Sequence, residues 1–162
     1  MLPMTANDTF ANITFNPLNY CDNANMFFIE IADKSETNLY AVAGIINSTL
    51  FSVIARSIAL AQQNGYFKFN KQFIEPIPFP KKHFEENQQL ILKIAHISLS
   101  IQKTQERYSK GSPRQKNSLK MLLKSFWDKL DAYVFELYQL DNEEKEFFLS
   151  RGRNIDRVEI LN

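Results

Sequence analysis

Tyr66, Lys68 and Asn70 stand two residues apart in the stretch YFKFNKQFIEPIPFP, and they offer a stacking ring, a cation and an amide. In an extended backbone these three project to one face, while Phe67 and Phe69 project to the other. The Phe pair belongs in a core. The polar trio is chemically suited to nucleic acid: amide side chains pair bidentately with adenine, and lysine contacts guanine or phosphate. Gln62, Gln63 and Asn64 add amides just upstream, and Lys71, Lys81 and Lys82 add charge downstream. These nine residues are the candidate DNA contacts. The plain alternative is a half-exposed strand with a polar outer face.

Other chemistry is sparse. The chain has no Gly-rich phosphate loop, no HExxH and no GxSxG. His83 and His96 are its two histidines, and His96, set among Ile94, Ala95 and Ile97, reads as a helix histidine. Cys21 is the one cysteine, so an intrachain disulfide and a CxxC metal pair are both impossible. A reducing, cytoplasmic setting is expected. Glu85–Glu86 and Glu143–Glu144 fall at expected helix starts, where the backbone dipole favours carboxylates. NPLNY, Asn16 to Tyr20, departs from the Asn/Asp-Pro-Pro-Tyr/Phe pattern of amino-group DNA methyltransferases, because Leu18 replaces the second proline and the aromatic is displaced by one. It reads as a turn at Pro17. The expectation is therefore no catalytic residue, no metal and no cofactor.

The charge is unevenly spread. Among 162 residues the net charge is +1, yet residues 1–40 carry −4, residues 41–124 carry +9 and residues 125–162 carry −4. A basic middle of this size is an electrostatic footprint for nucleic acid, or else a solvated, Lys-rich helix face. Hydrophobic residues make up 44%, with fourteen Phe against four Gly, which excludes a disordered chain. The first residues, MLPMTANDTF, lack the basic and apolar regions of a signal peptide. LYAVAGIINSTLFSVIA, Leu39 to Ala55, is about long enough to span a bilayer, but Asn47, Ser48, Thr49 and Ser52 mark it as a buried helix or helix pair.

The elements that must hold these residues follow from periodicity. Residues 1–25 read as short strands and turns, and Met26 to Ile31 as a strand with Phe27, Ile29 and Ile31 on one face. Helical spacing then runs from Leu39 to about Gln62, with Asn38 as cap, a break at Asn47–Thr49 and Gly65 closing the end. The strand around Phe67 comes next. Pro76, Pro78 and Pro80 strip donors from one edge, so the segment is expected to be an edge strand or sheet terminus. Long helices are expected at His83–Lys110 and Gln115–Leu140, broken by Gly111, Ser112 and Pro113 and packed antiparallel. A last helix begins after Asp141 and docks Phe147, Phe148 and Leu149 on the hairpin.

Several stretches together resemble one family. GIINSTLFSVIAR, Gly44 to Arg56, resembles the LNS…LF helix of target-recognition domains in restriction–modification enzymes. GYFKFNKQFIEPIPFP resembles their Tyr/Phe-rich strand with its proline-studded ending. LDAYVFELYQLDNEEKEFFLSR, Leu130 to Arg151, is similar to the LYGL segment and acidic helix that close single-chain type II enzymes with adenine-specific methyltransferase activity, with Gln139 where that family usually has Gly. Type I specificity subunits use related domains. The resemblance spans about residues 26–151.

It implies a non-catalytic DNA-specificity domain, separately made or split from the methyltransferase and nuclease portion it serves. Its partners would be double-stranded DNA and that catalytic domain or subunit. No membrane is expected, and the helical part could form a homodimer. The expected fold is α+β: a small mixed or antiparallel sheet with one or two packed helices over residues 1–80, then a long antiparallel helical hairpin and a short C-terminal helix over residues 81–162. The alternative function is a helical-hairpin interaction or dimerisation module without nucleic-acid binding.

Overall fold

A computed structural model describes residues 2–3, 5–6, 26–27, 29, 31, 33, 35–61, 67–68 and 71–152. NPLNY, Cys21, Gly65 and Phe69 lie outside them, as do Gln62, Gln63, Asn64, Tyr66 and Asn70.

Helix α1 spans Glu36–Ile46 and α2 spans Thr49–Ile58. The break falls at Asn47–Ser48, within the polar knot, because Ser48 turns extended (φ −70°, ψ 161°) and its Oγ accepts the Phe51 N–H. The first cap is Ser35 rather than Asn38: Ser35 Oγ accepts the Asn38 N–H, and the Asn38 amide donates to Asp33. The two helices diverge by 56°, and no single helix among the described residues is long and apolar enough to cross a membrane.

A short turn, α3, covers Lys71–Ile74, and α4 covers Lys81–Glu86. The expected helix from His83 to Lys110 divides at Asn87, whose side chain accepts the Leu90 N–H and starts α5, Gln88–Lys110. After Gly111 and Ser112, α6 runs Pro113–Leu137. Pro113 at the first helical position has no N–H to leave unsatisfied, and the Gln115 side chain reaches back to accept the Ser112 N–H at 2.9 Å. So short a joint forces α5 and α6 antiparallel. Their register is visible at both ends: Lys93 lies over the Tyr133 ring and Lys116 over the Tyr108 ring.

Helix α6 ends in a Schellman motif. The Gln139 N–H donates to Glu136 O and the Leu140 N–H to Phe135 O, with Gln139 at φ 56°. Helix α7 follows at Asn142–Gly152, entered through a reciprocal pair in which Asp141 Oδ1 accepts the Glu144 N–H and Glu144 Oε2 accepts the Asp141 N–H.

The core is built where α1, α5 and α6 meet. Ala41 and Ile45 from α1, Ile91 and Ile94 from α5, and Leu123, Leu130 and Val134 from α6 are fully buried. The larger aliphatic side chains among them each contribute about 1.5–3 kcal/mol by leaving water. Gly44 permits the close approach of α1 and α5: a methyl there would collide with Ser98 Oγ and crowd Ile94 and Leu130. Ile46, Phe51, Ala55 and Ile77 form a smaller cluster. Helix α7 packs on α2, and of the three side chains expected to dock, Phe148 joins the main core while Phe147 and Leu149 stay exposed.

The expected α+β class is corrected. Among the described residues, extended segments pair only in two-residue ladders: Leu2–Pro3 (β1) with Met26–Phe27 (β3), and Thr5–Ala6 (β2) and Leu60–Ala61 (β4) with Phe67–Lys68 (β5). These fall far short of the five or so residues of an ordinary strand, so the described residues form a helical protein and not a sheet domain. Ile29, expected to share a strand face with Phe27 and Ile31, is 40% exposed. The extended stretch expected to continue from Phe67 into the prolines instead turns helical at Lys71. The proline segment is turn and coil, held by Ile77 in the smaller cluster and by Tyr138 Oη, which donates to Pro78 O at 3.0 Å. The prolines are therefore not a protected strand edge.

Candidate nucleic-acid interface

Of the nine candidate contacts, four fall within the described residues. Lys68 ends β5, where it pairs with Leu60 and Thr5. Lys71, expected to add charge beyond the strand, opens α3. Lys81 and Lys82 form the first turn of α4 and are exposed. Lys81 lies 3.9 Å from Glu85, a surface pair whose side chains are 82% and 63% exposed and which adds little stability.

The position of α4 is well defined. Pro80 precedes its first residue, and the Tyr138–Pro78 hydrogen bond ties the incoming chain to the C-terminal end of α6. Lys81 and Lys82 therefore stand at the open end of the hairpin, beside the Gln139 turn. Burial pushes the Tyr138 phenol up from its usual value, so it remains a neutral donor to Pro78 O across the physiological range.

A second basic region lies outside the nine candidates. Residues 103–124 hold seven Lys or Arg and one acid, Glu106. The α5–α6 turn folds this run back on itself, which brings Arg107 and Lys110 of α5 beside Arg114 of α6 along an open groove of about 580 Å³. Gln115 and Ser118 contribute an amide and a hydroxyl to its wall. The signal was present as a local count of cations around GSP. Averaging charge over residues 41–124 hides it, as does a reading of the long helices as scaffold.

Elsewhere the described residues offer little chemistry. No group of three His, Cys, Asp or Glu side chains among them is placed to hold a metal. The buried carboxylate Asp131 is committed to Thr49, whose N–H and Oγ1 donate to its two oxygens. His96 is exposed on α5. Exposed apolar side chains include Met121 (78%) and Leu122 (39%) on α6 and Phe147 (52%) and Leu149 (41%) on α7. Comparison with protein-family models, curated proteins and solved structures finds no match to this chain.

Proposed function

We propose that this chain is a non-catalytic DNA-binding module that supplies target specificity to an adenine methyltransferase or restriction enzyme. The observation that carries the reading is the exposed cationic surface of an acid-poor middle segment, mounted on a rigid pair of long helices. The similarity of three ordered stretches to restriction–modification target-recognition domains supports the same reading. In this scheme Lys81, Lys82 and other cations of residues 41–124 neutralise phosphates. The segment from Gln62 to Lys71 reads bases, and the helical body fixes its position. The module acts in the cytoplasm, alongside its catalytic domain or subunit.

Fluorescence anisotropy of mixed-sequence duplex DNA across a salt series tests it. Binding should weaken steeply with salt, by ~0.9 in log–log slope for each phosphate neutralised. Replacing Lys81 and Lys82 by Gln should flatten the slope by up to about 2. Absence of binding at low salt would refute the reading.

Exposed Met121 and Leu122 favour a second reading, a helical-hairpin dimerisation or partner-docking module. Sedimentation would then show a tight dimer that Met121→Lys disperses, with no duplex binding by either protein.

A further inference from the structure

The basic tip of the helical hairpin lies at the opposite end of α5 from Lys81 and Lys82. Helix α5 has 23 residues, which at 1.5 Å rise separates its ends by ~34 Å. Lys81 and Lys82 precede its N-terminus, and Arg107 and Lys110 stand in its last turn with Arg114 across the joint. Among the described residues none of these three tip cations is in an ion pair, and Glu106, which shares their groove, pairs with none of them. Three unneutralised cations converging on one concave surface repel one another, and that repulsion is relieved when a polyanion enters.

We infer that the hairpin tip is a second phosphate-contacting surface, at which Arg107, Lys110 and Arg114 grip the sugar–phosphate backbone of duplex DNA. The inference rests on the DNA-binding reading above and deepens it, placing a phosphate contact on three named cations at the hairpin tip. Arginine presents a planar fork that meets phosphate oxygens bidentately, and Gln115 and Ser118 supply neutral donors of the kind that also bind backbone phosphates. An anionic membrane fits less well. Membrane-surface helices need a broad exposed apolar face beside their cations, whereas Leu119 in the groove is only 8% exposed and Met121 and Leu122 alone supply exposed apolar area on α6. Helix α5, ~34 Å long and so about one turn of B-form DNA, lies between the two basic ends, and a duplex lying along the hairpin passes both. The tip reads no bases. It anchors the duplex without regard to sequence.

The test uses the whole chain and a labelled mixed-sequence duplex of about two helical turns (~20 base pairs). The variant Arg107→Gln/Lys110→Gln/Arg114→Gln should lower the log–log salt slope by about 2–3 relative to the parent and weaken binding equally on unrelated sequences. Its thermal unfolding should be unchanged, since all three side chains are exposed. The single variant Lys110→Gln, expected to lower the slope by about 1, serves should the triple variant misfold. If the parent binds duplex and both variants keep its slope and affinity, the tip assignment is wrong and the DNA reading survives. If the parent binds no duplex, that reading fails and the tip assignment with it. Arg107-dependent capture by phosphatidylserine vesicles, with duplex binding unaffected by the substitutions, overturns the assignment in favour of a membrane surface.

Discussion

Asp131 on α6 and Thr49 at the start of α2 are 82 positions apart and are joined by two hydrogen bonds, Thr49 N–H to Oδ1 at 2.8 Å and Thr49 Oγ1 to Oδ2 at 2.6 Å. Both residues are 5% exposed. The carboxylate sits at the N-terminus of α2, where it satisfies an orphan backbone donor and faces the positive end of the helix dipole. Asp131→Ala leaves both Thr49 donors buried without that acceptor. We expect it to cost about 2–4 kcal/mol in urea unfolding. Thr49→Val, which removes one of the two bonds, should cost about 1–2 kcal/mol. In a double-mutant cycle the two should couple, because they share one interaction.

Gly44→Ala should destabilise by about 1–3 kcal/mol, since the added methyl overpacks the α1–α5 contact. Ser98 Oγ is the nearest obstacle, with Ile94 Cγ2 and Leu130 Cδ1 each at 3.1 Å. Gly44→Ala/Ser98→Ala should recover part of the loss but not all of it. Full recovery, or no loss in the single variant, would show that α1 can retreat from α5 at little cost.

Gln139 occupies the left-handed position of the Schellman turn, where a side chain crowds the backbone. Gln139→Gly should raise stability by about 0.5–1 kcal/mol, in spite of the greater freedom glycine has in the unfolded chain. Chemical denaturation with an unchanged m-value would confirm that the turn, and not the compactness of either state, has changed.

Stability should decline at alkaline pH. Burial raises the Tyr138 phenol, and burial, followed by Glu36 and Glu106, raises that of Tyr40. Above about pH 10 an unfolded tyrosine loses its proton while these two retain theirs in the folded state. The contribution is complete below that pH and is lost as pH rises through the folded values. Tyr138→Phe should flatten the alkaline decline of the melting temperature. It should also cost about 1 kcal/mol at neutral pH, by leaving Pro78 O without its phenol donor.

The helical hairpin was readable because its signals are local. Leu119, Leu123, Leu130 and Val134 recur at helical spacing, and GSP punctuates the joint with a residue suited to each position. The polar knot at Asn47–Thr49 likewise located the break between α1 and α2 through the capping chemistry of Ser48. The tip surface was half readable. Its cation count was plain, but that Arg114 faces Arg107 and Lys110 depends on how the two helices fold back.

From Lys71 to Pro80 the expected strand failed for an identifiable reason. Alternation over a few residues states a preference, and a strand exists only when a neighbour completes its ladder over a useful length. Phe67–Lys68 finds partners for two residues, after which Lys71–Ile74 satisfies its backbone locally as a helical turn.

The sequence by itself determined the long helices, the break between α1 and α2, the sharp joint between α5 and α6, and the gathering of positive charge in the middle of the chain. All of these arise from residues within a few positions of one another. The tertiary structure alone decided that the fold is helical, that Asp131 closes on Thr49, that Gly44 must lack a side chain, and that the cations stand at two ends of one hairpin. Each of these depends on groups distant in the chain being brought within a few ångströms, and local preference carries no information about such distances.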